Sequence, residues 1–426
     1  MIKTILEKLS ELGIKKWEIS EETTKAWEFY FIKHALDQHR IKDVIHTTVH
    51  VYVTNEDGTM GDASAEIPPF SKAEEIYNLL KNLQESASYI HNQAYSLVGK
   101  NVIQDNSAKV DIAKVAHDFI EAVHSVKEDK CSYVNSYEIF VNEKTVHLLN
   151  SNGLDVMSVY PSSMLEIILN ARQDQHEIEL YRSYKMGTCD CEFMQNEIQK
   201  ALKYGLDRLS AIPTPFSGEM PVLFANADVV KLFDYYKFKL NAQALVMQAS
   251  NWHKGDLVAH DVKGDKVSVK ALNYLANSSQ NCAFDGDGAK IKEIYLIENN
   301  VVKHAIGNRR FAAYANLDDA FMPKNYIVSG GSYKEEELRK GDYLEVVDFS
   351  DFQMDDLKGD FAGEIRLAYL HKDGKVMPVT GGSISDNWSN QIQNLKMTKE
   401  LKQYDTMVVP QAVLLPKVMI TGVKHD

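Results

Sequence analysis

The chain has no run of apolar residues long enough to span a bilayer, which takes about 20 in a helix. It has little cysteine, four residues in 426. It has no excess of positive charge: 47 Lys and Arg face 60 Asp and Glu, for a net charge of −13. Each shortage excludes something. The first sets aside a helical membrane protein. The second sets aside a disulfide scaffold, and the four thiols read as reduced cysteines of a cytoplasmic protein. The third disfavours nucleic acid or an anionic membrane as partner, because an acidic surface repels phosphate. Catalytic signatures are missing too. No G-x-S-x-G elbow, P-loop or G-x-G-x-x-G occurs.

What is present is ordinary globular material, with enough apolar residues for a sizeable core. The first residues place Ile2, Ile5, Leu6, Leu9 and Leu12 on one helical face, stopped by Gly13. That is an amphipathic helix rather than an export leader. A β-rich stretch follows, turned by Asp57-Gly58. Ser71 with Glu74 reads as a capping box for the next helix, and another helix is expected to begin near Ser107. Tyr137, Ile139 and Val141 alternate, Asn142-Glu143 reads as a turn, and further strands lead to a helix over about 192–209. Three prolines in the segment 211–221 mark a boundary. The expected architecture is α+β in two domains. Residues 1–212 form an antiparallel sheet with helices. Residues 213–426 form a β-rich, barrel-like domain with one long helix and with hairpin turns at Asn299-Asn300 and Asp373-Gly374.

The stretch Met220–Tyr236 organises the second half. Pro221 to Phe224 reads as a buried strand end, and Val229, Leu232, Phe233, Tyr236 and Leu240 then fall at helical spacing. Chemistry often gathers where a strand feeds a helix start, yet Ala225, Asn226, Ala227 and Asp228 bring no His, Cys or Glu. Capping is the expected role of Asn226 or Asp228. Elsewhere, His34 and His39 have the outer spacing of an H-E-x-x-x-H motif but sit in strand-like sequence without its Glu. Cys189-Asp190-Cys191 lacks a second ligand pair and reads as two ordinary thiols at a helix start. Asp285 to Gly288 suggests a Ca²⁺ loop but has no Glu at the twelfth position.

Several stretches in this order resemble the TldD/PmbA family, also labelled TldE or modulators of DNA gyrase. They are Asp57-Gly58 with Gly61, Asn150-Ser151-Asn152-Gly153, Met220 to Val230, and Phe284-Asp285 through Gly288. They continue with Ile297-Glu298-Asn299, Asn325-Tyr326, Gly359-Asp360-Phe361 with Gly363, and Asp373-Gly374-Lys375 with Pro378-Val379. In the catalytic TldD-like branch the resemblance implies a zinc peptidase with H-E-x-x-x-H at the 220–236 stretch and a later Cys ligand. Here those first positions fall on Ala225, Asn226 and Val230, and the segment 401–410 contains no cysteine. The stretch 221–230 resembles the PmbA/TldE branch instead.

The resemblance implies a noncatalytic subunit of a metalloprotease complex, shaping a chamber for proteolysis of unfolded or flexible peptides, including peptide maturation. The expected partner is a TldD-like metalloprotease subunit in a heterodimer, or a second copy in a homodimer. Zinc is expected only in the TldD-like partner, with no cofactor in this chain, and the gyrase label is read as historical. Asn226, Asp228, Gly359, Asp360 and Phe361 are expected to line the peptide chamber. Two other readings stay open: a stand-alone homodimeric peptide-binding or scaffold protein, and an enzyme with Cys189 or Cys191 as nucleophile.

Overall fold

A computed structural model describes residues 1–105 and 109–423. The fold is α+β, with three sheets among the described residues. The N-terminal sheet has seven strands: β1 (Lys16–Ile32), β2 (Ala35–Thr54), β3 (Met60–Ile67), β4 (Asn101–Asp105), β5 (Ser132–Asn150), β6 (Leu154–Gln173) and β7 (His176–Met186). Their order is β3-β2-β1-β5-β6, with β4 and β7 both paired to β6. Four helices accompany it: α1 (Ile2–Glu11), α2 (Ala73–Ser88), α3 (Ile112–His124) and α4 (Cys191–Leu209). The apolar faces of α1 and α2 cover one end of the sheet, through Ile5, Leu9, Ile76 and Leu80 against Ile19, Val49 and Val51. Those of α3 and α4 cover the other, through Phe119, Met194 and Ile198 against Ile139, Leu165 and Ile167.

Local expectations shift in three places. The helix expected to start at Ser71 is capped one residue later, where the Lys72 amide donates to Glu75 Oε2 at 2.7 Å. Ser107 lies outside the described residues, and α3 is capped by Asp111, whose Oδ1 accepts from the Lys114 amide at 3.1 Å. Asn142-Glu143 is no turn. Both residues sit inside β5, paired to β1 on one side and β6 on the other. Two flanking ladders supply more hydrogen bonds than a local turn would, so tertiary pairing overrides the turn-forming residues.

Pairing of Ile212-Pro213 with Lys375–Thr380 joins the chain to the C-terminal sheets. There, strands Gly218–Phe224, Tyr343–Met354, Asp360–Lys372, Ser383–Asn387 and Val413–Thr421 close into a five-stranded ring, because Tyr343–Met354 pairs with both Gly218–Phe224 and Asp360–Lys372. Helix α5 (Val229–Lys239) follows the first of these strands. Its predicted apolar face is fully buried at Val229, Leu232, Phe233 and Tyr236. Trp388 is buried beside it, and its indole Nε1–H donates to Tyr236 Oη at 3.0 Å. A second sheet of six strands (301–302, 294–298, 269–272, 325–328, 407–410 and 401–404) shares this core.

Two glycines admit close packing. A Cβ on Gly61 would lie 1.7 Å from the Ala87 carbonyl oxygen, so only glycine lets β3 approach the end of α2. A Cβ on Gly363 would lie 2.6 Å from the Phe349 ring inside the barrel. The predicted hairpin turns at Asn299-Asn300 and Asp373-Gly374 have positive φ at all four residues, as tight antiparallel turns require. No described helix is long and apolar enough to cross a membrane.

Candidate functional site

The start of α5 opens onto the larger of two well-formed cavities, a cleft of about 860 Å³ between the N-terminal sheet and the C-terminal domain. One wall is β7 from Tyr181 to Met186, together with the α4 face that carries Phe193, Glu197, Ala201 and Tyr204. The opposite wall is built from Ala225 to Asp228, from the barrel strand at Val347 to Phe352, and from Lys402 to Asp405. The spacing of Glu197, Ala201 and Tyr204 is one stripe of a helix, so a single element presents all three.

Asn226 and Asp228 both line this cleft, as do Ala225 and Val230. The polar first turn is internally bonded. The Asn226 side chain donates to Asp228 Oδ2 at 3.1 Å, and its Oδ1 accepts from the Asp228 amide at 3.2 Å. Asp228 makes no side-chain cap bond to the helix. Instead its other oxygen pairs with Lys231 Nζ at 3.1 Å, and that ammonium also donates to the Phe352 carbonyl at 3.0 Å. Capping is therefore not what holds Asp228; the turn is tied to the barrel strand through Lys231.

Gly359, Asp360 and Phe361 do not line the cleft. Phe361 is buried in the barrel core, and Gly359 lies against Tyr235 and Trp388. Asp360 accepts from the Asn387 side chain at 2.8 Å at the barrel rim. Their chain order next to the other family-like stretches does not place them beside α5's first turn.

Opposite that turn, Lys402 donates to Glu197 Oε1 at 2.8 Å, and Lys200 reaches the same oxygen at 3.2 Å. Burial opposes ionisation of Glu197, but these two ammonium groups hold its carboxyl below the ordinary range. The Tyr404 hydroxyl is buried with no hydrogen-bond partner in the protein, and burial pushes its phenol up. Asp348 is 9% exposed and pairs with Arg182 at 3.1 Å. Burial raises its carboxyl even though Arg182, Arg208 and Arg366 all act to lower it. Sequence reasoning missed Glu197, Lys402, Tyr404 and Asp348. Only the α4 stripe carried a local signal for any of them.

The donor set does not fit zinc. Ala225 and Val230 have no ligand atoms, and the Asn226 amide is committed to Asp228. In the facing segment, the Asp405 carboxylate accepts from the Ser279 amide and hydroxyl, both at 2.8 Å. A zinc site needs three or four His, Cys or carboxylate ligands. Among the described residues no three such side chains converge anywhere. No reaction step through a metal is derived for this chain.

The remaining motifs are scattered. His34 sits at the β1–β2 turn against Glu128 at 2.7 Å, while His39 stacks on Phe29 at 4.3 Å. Cys189 and Cys191 lie 3.8 Å apart at the start of α4, and burial pushes the Cys189 thiol up, away from a nucleophilic thiolate. Asp285 is buried and accepts from the amides of Asp287, Ala289 and Met322, which is a structural turn.

Residues 217–423 match the family model described as the PmbA/TldA metallopeptidase C-terminal domain. The C-terminal half is a PmbA/TldD-family domain. An uncharacterized protein of Methanocaldococcus jannaschii is 23% identical over 380 residues, covering 84% of this chain and 86% of its own length. A zinc metalloprotease TldD homolog of Saccharolobus solfataricus is 24% identical over 221 residues, 51% of this chain and 48% of that protein. The crystal structure of TldE from Thermococcus kodakarensis superposes with a TM-score of 0.79 at 17% identity, covering 98% of this chain and 100% of that one. The PmbA/TldD-family domain thus supplies α5, the barrel and the 402–405 segment, and the N-terminal half supplies β7 and α4.

Proposed function

We propose that this chain is a noncatalytic subunit of a TldD/TldE-type metalloprotease complex, in which it holds an extended, unfolded peptide for a zinc-bearing TldD-like partner. One observation carries the reading. The cleft at the start of α5 is open and built from both halves of the chain, while the positions that the family resemblance assigns to zinc ligands hold Ala225, Asn226 and Val230. A site with room for substrate and no group to activate water can bind and orient but not hydrolyse.

The route of binding follows from β7. It pairs with β6 on one side only, and its other edge, from Tyr181 to Met186, borders the cleft. A free edge offers alternating N–H and C=O groups that an extended peptide can satisfy with little demand on its side chains. Peptide maturation and turnover of flexible peptides are the roles that suit such a subunit. A stand-alone homodimer is the second reading. It draws on residues 35–46 of β2, which β3 leaves unpaired and which expose Leu36, Ile41, Val44 and Ile45.

Co-expression with a TldD-like chain tests the proposal. Co-migration on size exclusion, cleavage of a flexible peptide only by the pair, and zinc confined to the partner are the expected results. Failure to co-migrate, together with no change in the partner's cleavage, rejects it; a stable homodimer that ignores the partner supports the second reading. One tightly bound zinc per chain in this protein alone overturns both.

A further inference from the structure

The charges along the cleft are matched except at one end. Lys200 and Lys402 share Glu197, and Lys231 is taken by Asp228. At the Asp348 end the balance fails. Arg182 on β7, Arg208 on α4 and Arg366 on the barrel strand Asp360–Lys372 all act on the single Asp348 carboxylate. Only Arg182 contacts it, and it also donates to the Tyr181 carbonyl at 2.9 Å. Among the described residues, the guanidinium groups of Arg208 and Arg366 have no hydrogen-bond or ion-pair partner.

The placement is not accidental to the cleft. Arg208 continues the α4 stripe that lines it, four residues beyond Tyr204. Arg366 neighbours Leu367, which pairs across the barrel with Asp348. Arg208 is half-buried, and burial together with the neighbouring arginines disfavours its charged form. An acidic chain with a net charge of −13 thus concentrates three guanidinium groups around one carboxylate. Two fixed cations in excess beside a cleft wall suit an incoming anion, and the planar guanidinium fork matches a carboxylate in two-pronged contact.

We propose that Arg208 and Arg366, flanking the Arg182–Asp348 pair, form a carboxylate subsite that takes the C-terminal carboxylate of the peptide held along β7. The inference rests on the peptide-holding reading above and adds a substrate feature to it: a free C-terminus lodged at the arginine end. The lysines of the cleft are paired or, like Lys185, open to solvent, so they do not offer the same site.

Fluorescence anisotropy on the full chain tests this with a short labelled Thr/Val peptide made as free acid and as C-terminal amide. The free acid is expected to bind about tenfold tighter, or ~1.4 kcal/mol. In an Arg208→Gln/Arg366→Gln variant whose melting curve shows a folded protein, the ratio is expected to fall to about one. Equal binding of acid and amide to the native chain removes the subsite and leaves the peptide-holding reading intact, and this comparison needs no variant. Survival of the preference in the double variant also overturns it. An amide peptide that regains the full tenfold from an internal Glu at any position overturns the assignment to the terminus. If neither peptide binds, the peptide-holding reading falls and takes this inference with it.

Discussion

The two halves of the molecule treat their strand edges in opposite ways. The C-terminal strands close into a ring, so five of them have neighbours on both sides. The N-terminal sheet stays open, with β7 bordering the cleft and much of β2 unpaired. A closed sheet has no edge left to bind with, and an open one does. The difference teaches where each property resides: the barrel supplies a rigid frame, and the open sheet supplies the surface that meets a peptide or another chain.

The largest effect that sharpens this contrast is on the barrel. Trp388→Ala removes a fully buried ring from beside Tyr236 and strands its hydroxyl partner. A loss of about 3–5 kcal/mol is expected in denaturant unfolding; a loss below about 1 kcal/mol would mean that the barrel is not the frame. The next concerns pH. Burial, with the nearby Asp287 charge adding to it, raises the Asp285 carboxyl to about 6 despite three amide donors. In the unfolded chain the same group ionises near 3.8. Its contribution to stability is therefore full below about pH 4 and is lost as pH rises through 6, up to about 3 kcal/mol. Asp285→Asn should flatten that part of the stability–pH curve, and an unchanged slope would refute it.

The open edge is probed more gently. Methylating alternate backbone amides of a bound peptide should weaken binding about tenfold, ~1.4 kcal/mol, if the peptide adds to β7 as a strand. Identical affinity for the methylated peptide would place binding elsewhere. The smallest expected effect is at the cysteines. Exposed Cys131 should be alkylated first, while Cys189, whose thiol burial pushes up, reacts more slowly than a free cysteine at neutral pH. Rapid modification of Cys189 would revive a cysteine-based activity.

These contrasts also explain what could be read from the chain. The apolar face of α5 was legible because Val229, Leu232, Phe233 and Tyr236 repeat at the helical period, and burial follows period. Asn299-Asn300 and Asp373-Gly374 were legible because positive φ narrows the choice of residue. Asn142-Glu143 misled because a turn propensity is local, while the ladders on both sides of β5 come from β1 and β6. The cleft was half legible. Asn226 and Asp228 sit where a strand meets a helix, a recognisable junction. Arg182, Arg208 and Arg366 come from three elements in two halves of the chain, and no spacing in the sequence announces that they meet at Asp348.

Barrel closure also has a consequence for synthesis. Gly218–Phe224 is the first barrel strand made, and it lies between Tyr343–Met354 and Val413–Thr421, the last strand of the ring. The ring therefore cannot shut until residues near 421 have left the ribosome. Until then Gly218–Phe224, with Val222, Leu223 and Phe224 destined for full burial, has an open flank. Pairings across so long a loop form late. A nascent chain paused anywhere between 354 and 413 presents an apolar strand edge, so this stretch of translation is when the protein most needs a chaperone.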